Sequence, residues 1–287
     1  MSFAIADRGR TAHNSPVSPS VTALSVMSLR LLFVIALCLV ARPAQGGAFA
    51  QRQGMLLVIQ ETSVSTALQA FDLRGRMIPA RLYRKYTLDT LFEYGALEWL
   101  TFLGRFETVG VYTQGPPRAL YRGLGMSEVG ARVELGRAWD GDLVFSAQGI
   151  MRLPGARTDN PAAAGLTQAE TDGRLMVGGS FELMDAPGFW SAEAGLRKRG
   201  APLPDEWRME LAAGLSIFDR LQVVGQGSSV LTPGKPLAPP SQSHKAQISL
   251  VLNPGRPWSL QMGTFRTIAG VNARQENGFL VAFWRRM

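Results

Sequence analysis

Cysteine and histidine are almost absent from this chain of 287 residues, which contains one cysteine and two histidines. Cys38 lies in an apolar run near the amino terminus, so a chain that loses this run contains no cysteine. Disulfide frameworks, thiolate metal sites and cysteine nucleophiles are then excluded. The sequence also lacks GxSxG, HExxH, phosphate-loop and calcium-loop patterns, and we expect no metal and no cofactor.

Apolar runs of transmembrane-helix length are also missing. The run Leu31 to Val40 has ten residues, whereas a helix needs about 20 to cross a bilayer core of about 30 Å. Arg30 precedes this run, and Ala48-Phe49-Ala50 follows it as a small-x-small cleavage site. This layout predicts a signal peptide at 27–50 that is cleaved after Ala50, with a short buried helix as the alternative. Residues 1–26 are then an extension before the true start at Met27, either not translated or disordered.

A strong charge of either sign is missing as well. The formal net charge is +8, and losing residues 1–50 with their four arginines and one aspartate lowers it to +5. This modest excess shows no basic stripe of the kind that binds nucleic acid, so we expect no nucleic-acid partner.

From Gln51 onward the sequence alternates apolar and polar residues with period two, which is typical of strands. In "SEVGARVELG", for example, Val129 and Leu135 lie on one face while Glu128 and Arg132 lie on the other. Twelve such segments are predicted, at about 54–65, 82–94, 98–110, 126–137, 142–153, 171–184, 188–198, 206–217, 220–231, 244–252, 257–268 and 277–286.

Short turns and longer links alternate strictly between these segments, with long links expected at about 66–81, 111–125, 154–170, 199–205, 232–243 and 269–276. Outer-membrane barrels have short turns at one end and longer loops at the other. The sequence therefore predicts an all-β protein, a single antiparallel up-and-down transmembrane β-barrel of about 12 strands that occupies residues 51–287.

Alternation alone would also fit a soluble barrel with its apolar face inward. Aromatic residues near the short turns favour a membrane girdle instead. The predicted girdle comprises Tyr94, Trp99, Trp139, Trp190, Trp258 and Phe283, and we also assign Phe189 and Phe218 to this row. Together with the signal peptide, this row places the protein in the outer membrane of a Gram-negative bacterium.

The last residues, "GFLVAFWRRM" (278–287), resemble the amphipathic final strand of Gram-negative outer-membrane proteins, which the barrel assembly machinery reads. The chain departs from that pattern because it ends on Met287, and because Arg285 has the lipid-facing parity. More loosely, "RKY" (84–86), "EYG" (93–95), "GLGMSEVGARVEL" (123–135) and "QENG" (275–278) are similar to uncharacterised proteobacterial barrels of the porin-like type associated with phenol meta-pathway operons. The resemblance implies a barrel and a partner machinery, and it assigns no solute.

With apolar residues facing lipid, the polar face lines the barrel interior. The predicted lumen residues are Lys85, Asp89, Glu93, Arg105, Glu107, Glu128, Arg132, Glu134, Asp172, Arg174, Glu182, Glu193, Arg197, Arg208, Glu210, Lys245 and Gln247. These interleaved charges either brace the wall as cross-strand ion pairs or line a path for a small solute.

The sequence therefore leaves three functions open. The first is a channel or facilitator for a small polar or amphipathic solute. The second is a structural or surface-interaction barrel with a closed lumen. The third is an enzyme, for which His244 with Ser241 and Ser243 nearby is the candidate; adjacent strand residues face opposite ways, so His244 and Ser243 cannot pair directly.

Basic residues in the predicted loops indicate partners at the cell surface. They are Arg74, Arg76, Arg81, Arg118, Arg122, Arg157, Arg197, Lys198 and Arg199. Arginine binds phosphate groups bidentately, so outer-membrane lipid and lipopolysaccharide are expected partners.

Overall fold

The structure, a computed structural model, describes residues 47–115, 118–156, 160–163, 165–200, 203–235 and 239–287. The extension predicted at 1–26, residues 27–46 of the predicted signal peptide and Arg157 lie outside the described residues. The helices in the described part are two 3-10 turns, Trp139–Gly141 and Pro161–Ala163. Neither has the length and hydropathy that crossing a bilayer as a helix requires.

The alternating segments form a single antiparallel sheet of 13 strands. The strands are β1 (Leu56–Phe71), β2 (Met77–Leu97), β3 (Leu100–Thr113), β4 (Ala119–Leu124), β5 (Ser127–Ala138), β6 (Leu143–Leu153), β7 (Glu170–Leu183), β8 (Ala186–Arg199), β9 (Glu206–Phe218), β10 (Leu221–Thr232), β11 (Ser241–Leu252), β12 (Trp258–Val271) and β13 (Ala273–Arg286).

The sheet closes on itself because β1 pairs with both β2 and β13. The seam between the first and last strands runs from Leu57 opposite Arg286 to Phe71 opposite Ala273. Twelve strands complete the ring, and the short β4 is additional. The predicted fold, an antiparallel up-and-down barrel of about 12 strands, is confirmed.

The extra strand β4 lies within the link that was predicted at 111–125. The upper part of β3 pairs with β4 over 108–113, and the lower part pairs with β5 over 100–105. The chain bends between the two at Gly125, where a Cβ would collide with the Glu107 carboxylate. A larger residue at position 125 would displace the Glu107 side chain.

We call the "turn end" the barrel end that carries the links 98–99, 139–142, 184–185, 219–220 and 253–257, and the opposite end the "loop end". At the turn end, Met184 and Asp185 form a two-residue link in which both residues have positive φ, at 50° and 62°. This combination matches the type I′ turn that suits twisted hairpins.

The strict alternation of long and short links is wrong at two places on the loop end. The links predicted at 66–81 and 269–276 shorten to 72–76 and Asn272, because β1, β2, β12 and β13 continue as paired strands. Backbone hydrogen bonds sustain these extensions, so they need no apolar alternation. The sequence pattern therefore ends before the strands do.

The outer face of the barrel is apolar. Phe106, Leu175, Leu211 and Ile248 are between 57% and 66% exposed on it, although large apolar side chains usually avoid water. A contiguous belt of this kind is typical of a surface that contacts lipid.

Most of the predicted girdle residues are exposed at the turn end, namely Tyr94, Trp99, Trp139, Trp258 and Phe283, whereas Trp190 is half-buried. Phe218 is also exposed, at 70%. Phe189 does not belong to the row: its ring is 7% exposed and lines the barrel interior. Phe189 and Trp190 are neighbours on one strand and must point to opposite faces.

The β1–β2 turn is built around Asp72. Its Oδ1 accepts the backbone N–H groups of Arg74 and Arg76, both at 2.8 Å, and its Oδ2 accepts Arg76 Nε at 3.0 Å. The backbone N–H of Asn272 also donates to the Asp72 carbonyl at 3.1 Å, which ties the β12–β13 turn to the β1–β2 turn. The two hairpins that flank the seam are thus joined at the loop end.

Barrel closure predicts that the last residues are essential for assembly. Met287 and Leu56 exchange two backbone hydrogen bonds of 2.8 and 2.9 Å, and Arg286 N–H donates to the Pro257 carbonyl. Combining Phe283→Ala with deletion of residues 284–287 leaves backbone groups unpaired, each costing several kcal/mol in lipid. We expect an order-of-magnitude loss of folded protein, measured as the heat-modifiable band on gels. Gln226→Ala, a lumen-facing control, should keep wild-type levels, and equal loss in both variants would contradict the closure argument.

The hydrogen bonds of the turn should lower the pKa of the Asp72 carboxyl group. Donation by the Arg76 backbone N–H is the main cause that lowers the pKa of Asp72 below its usual value, followed by the Arg74 N–H and the Arg76 side chain. The pKa of this carboxyl is lower in the folded protein than in the unfolded chain, where it is about 3.9. Its hydrogen bonds therefore stabilise the turn fully at pH values above the unfolded pKa. This stabilisation is lost as the pH falls through the folded pKa.

Carboxyl-carbon NMR should place the Asp72 midpoint below the ordinary aspartate value. The Arg76→Gln variant should keep most of the depression, because the backbone donors remain. An ordinary midpoint in the wild type, or complete loss of the shift in Arg76→Gln, would refute this assignment.

Candidate functional site: the barrel lumen

The barrel encloses a cavity of about 780 Å³. The predicted lumen residues that line it are Lys85, Asp89, Glu93, Arg105, Glu107, Arg132, Glu193, Glu210, Lys245 and Gln247. They reach it because every second residue of each strand points inward. The charge and polarity of the lining differ from one side of the ring to the other.

One wall, on β2, β3 and β5 to β9, is a continuous ion-pair network. Arg105 lies 2.8 Å from Asp89 and 3.7 Å from Glu128, whose carboxylate also binds Arg152. The complete network contains six arginines and seven carboxylates: Arg105, Arg152, Arg174, Arg197, Arg199, Arg208, Asp89, Glu128, Glu170, Asp172, Glu193, Glu206 and Glu210.

Asp172 shows how tightly this wall is neutralised. Its carboxylate binds Arg174 at 2.7 Å and Arg197 at 2.8 Å, and Asp172 is 3% exposed. Arg174 also contacts Glu193 and, at 3.3 Å, Glu210. Burying a lone charge is costly, so such groups are retained only when paired. The wall therefore carries many charges and a net charge close to zero.

The predicted lumen residues that do not line the cavity divide into two groups. The first group belongs to the ion-pair network of the charged wall and comprises Glu128, Asp172, Arg174, Arg197 and Arg208. Glu134 and Glu182 lie near the turns instead. Glu134 binds Arg137 at 2.6 Å, and Glu182 lies opposite Pro187 beside the β7–β8 turn.

The prediction missed several members of the interior. Glu61 lines the cavity, and Glu170, Arg199, Glu206 and Glu276 form interior ion pairs. Most of these lie at strand ends that the sequence pattern assigned to loops. The inward position of Arg152 could have been predicted, since the alternation along β6 places it on the polar face. Arg199 was expected at the cell surface, but its ion pairs face inward. Arg197 was assigned both to the lumen and to the surface loops, and its ion pairs agree with the lumen assignment.

The opposite wall, on β1 and β10 to β13, is mostly uncharged. Gln247 donates to Gln226 and, at 3.2 Å, to Ser249, and Ser63 lies 2.6 Å from Thr87 of the neighbouring wall. Other neutral polar residues that line the cavity here are Ser65, Gln222, Ser228 and Gln261. Lys245 and Glu276 form the ion pair of this wall, at 2.9 Å.

Toward the turn end, the lumen wall carries a cluster of apolar side chains in addition to the Glu93–Arg132 ion pair. Phe189, Val224 and Val251 pack together on β8, β10 and β11, with Ala212 against them. Further apolar side chains that line this half are Leu57, Ile59, Leu91, Leu280 and Trp284. A solute that passes through meets hydroxyl and amide groups first and an apolar surface afterwards, or the reverse.

Residues 47–51 enter the lumen from the turn end. The Gln51 N–H donates to Thr101 Oγ1 at 2.9 Å, and its side chain donates to Glu93 at 2.8 Å. Further in, Ser146 Oγ donates to the Ala48 carbonyl, and Ala48 is fully buried. The segment therefore crosses from β2 and β3 to β6 along the charged wall.

Arg132 joins this segment to the wall. Its Nη1 donates to the Phe49 carbonyl at 3.1 Å, its Nη2 to Glu93 at 3.0 Å and its Nε to Gln148 at 3.1 Å. Every nitrogen of the guanidinium group thus has a partner. Cleavage after Ala50 would remove the Phe49 and Ala48 contacts and open this part of the lumen.

The candidate enzymatic histidine lies elsewhere. His244 Nδ1 is 2.9 Å from Ser229 Oγ, its cross-strand neighbour on β10. Both residues share the parity of the exposed Ile248 on the outer face. In Ser-His catalysis an orienting group holds the second imidazole nitrogen. No carboxylate forms an ion pair with His244 in the described ranges, so the structure gives this pair no orienting acid.

Comparison with known proteins identifies the fold. Neither a protein-family model nor a curated protein matches the chain. The structure is similar to a COG4313 outer membrane channel from Pseudomonas putida F1, with a TM-score of 0.69 at 13% identity over 86% of this chain and 100% of that one. It is also similar to the beta domain of the Bordetella autotransporter Brka, with a TM-score of 0.51 at 13% identity over 80% of this chain and 99% of that one. The chain therefore has the fold of an outer-membrane β-barrel.

Proposed function

We propose that the protein is an outer-membrane channel or facilitator that passes a small polar or amphipathic solute. The observation that carries this proposal is the lumen itself, a cavity of about 780 Å³ between a neutralised charged wall and a neutral wall of serine and glutamine. Paired charges hold water without strongly binding a single ion, and amides and hydroxyls form weak hydrogen bonds that a solute can exchange. Passage requires such weak, repeated binding.

The apolar residues of the turn end support the amphipathic part of the proposal. A purely polar solute gains nothing from the surface formed by Phe189, Val224 and Val251. A molecule with one polar and one apolar side can use both halves of the lumen in turn. The apolar belt and the predicted signal peptide support a location in the outer membrane.

The second candidate function is a structural barrel with a closed lumen. Residues 47–51 favour it, because they occupy the lumen and are bound to Glu93, Thr101 and Arg132. The two candidates differ in what arginine removal does. In an open path it changes ion selectivity, whereas in a closed lumen it changes stability alone.

Single-channel recording in planar bilayers tests the channel. Arg132→Ala and Arg208→Ala each leave a lumen carboxylate, Glu93 or Glu210, without that partner. We expect a conducting wild type and a shift toward cation preference in both variants, because charged rings set selectivity. Arg220→Ala and Arg256→Ala, at exposed turns, are the matched controls and should conduct like wild type. If the folded wild-type protein neither conducts nor takes up solutes, the channel proposal is wrong and the closed barrel is favoured.

Arg174→Ala reports on the bracing role in the same set. It leaves the buried Asp172 with one fewer partner, and breaking a buried pair costs roughly 3–5 kcal/mol. Its folded protein should therefore denature at lower urea concentration than the Arg220→Ala control. Unchanged stability would contradict bracing by this wall.

The entering segment predicts a difference between two chain starts. Refolded protein that begins at Gln51 should conduct better than protein that begins at Gly47, because four residues no longer occupy the lumen. Equal conductance would show that the segment does not obstruct the path. Amino-terminal sequencing of the exported protein, predicted to begin at Gln51, decides which form exists in the cell.

A further inference from the structure

Three exposed arginines lie on the outer face of the barrel at the loop end of β2, β3 and β4. They are Arg84, Arg118 and Arg122, which we call the arginine patch. Arg84 lies opposite Tyr112, and Arg122 lies opposite Gly110. The position of Gly110 is flanked by the side chains of Arg122 on β4 and Tyr86 on β2, so these two side chains lie on the same outer surface.

The patch has positive charge, and no carboxylate among the described residues forms an ion pair with it. The ion pairs of the described chain involve lumen and turn residues, and none includes Arg84, Arg118 or Arg122. Arg118 instead stacks on the Tyr112 ring, with its guanidinium carbon 5.1 Å from the ring centre. Like charges grouped on one surface repel one another, and an anion bound among them removes this repulsion.

The patch lies at the upper boundary of the apolar belt. Along β3, Trp99 marks the turn end, and Phe102 and Phe106 are more than half exposed above it. From Trp99 to Gly110 the chain rises by about 28 Å, taking about 3.3 Å per residue and a barrel tilt of about 40°. This matches the height of an apolar band of about 25 Å. Because the turn end is periplasmic in such barrels, the patch meets the outer leaflet at its polar surface.

The surface around the arginines suits a lipid rather than a soluble anion. Leu124, which lies on the turn-end side of Arg122, is 62% exposed on the outer face, and Phe106 continues the apolar surface toward the turn end. A ligand that fits must carry phosphate groups where the arginines lie and hydrocarbon below them. Arginine provides paired N–H donors for phosphate oxygens, and Leu124 and Phe106 provide contact for acyl chains.

We propose that the arginine patch binds the phosphate groups of phosphorylated lipid A, the glycolipid anchor of lipopolysaccharide, with its acyl chains on the belt below. The proposal rests on the outer-membrane location and is independent of whether the lumen conducts.

Native mass spectrometry of the folded, detergent-solubilised barrel tests the proposal with bisphosphorylated lipid A as the probe. Each basic residue at an anionic membrane surface contributes about a fivefold gain in binding, so losing three reduces it on the order of 100-fold. The triple variant Arg84→Gln, Arg118→Gln, Arg122→Gln should show this loss. The matched control, Arg220→Gln, Arg256→Gln, Arg285→Gln, removes the same charge at the turn end and should bind like wild type. Heat-modifiable migration on gels verifies that each variant is folded.

Two further probes identify the ligand chemistry. Dephosphorylated lipid A should bind the wild type as weakly as bisphosphorylated lipid A binds the triple variant. Phosphatidylglycerol, which has one phosphate, should bind much less tightly than lipid A. Equal binding of lipid A by wild type and triple variant, equal loss in the control, or equal retention of phosphatidylglycerol would each overturn the proposal.

Discussion

The need to pair every backbone N–H and C=O group where water is absent shapes the whole molecule. A sheet within a bilayer has no tolerated edge, so the first and last strands must meet. This requirement makes the final ten residues part of the wall. Because β1 and β13 pair antiparallel, as all other neighbours do, the ring has an even number of strands. It also assigns the two faces, because a strand in a closed wall places alternate side chains in lipid and in the lumen.

Electrostatics inside the ring follow from that assignment. Strands β2 to β9 present charged residues to a confined space, and the structure pairs them across neighbouring strands instead of leaving them to repel one another. The remaining strands present mainly amides and hydroxyls, with the Lys245–Glu276 ion pair among them. The result is a lumen whose polarity varies around the ring and along the axis, a more specific environment than a uniform aqueous pore.

The sequence predicts the regular part of this molecule well. Twelve segments, the inward faces of residues such as Arg132 and Glu107, and the closing role of the last strand all follow from alternation with period two. Prediction fails where the membrane imposes no alternation. The extensions of β1, β2, β12 and β13 beyond the belt, and the inward ion pairs of Arg199, depend on cross-strand partners that no local pattern reveals. The path of residues 47–51 through the lumen could not be predicted either, since its contacts with Thr101 and Ser146 join distant parts of the chain.

The link between Asp72 and Asn272 has a consequence for how the barrel comes apart. The seam between β1 and β13 joins the two most distant strands in sequence, so it is the costliest contact to form by chain closure. Paired strands normally fray from their ends, yet this seam is bonded at both: Leu56 with Met287 at one end and Asp72 with Asn272 at the other. Amide exchange along the seam then requires a larger opening than end fraying. The strands that close the ring last are therefore held against unzipping from either end.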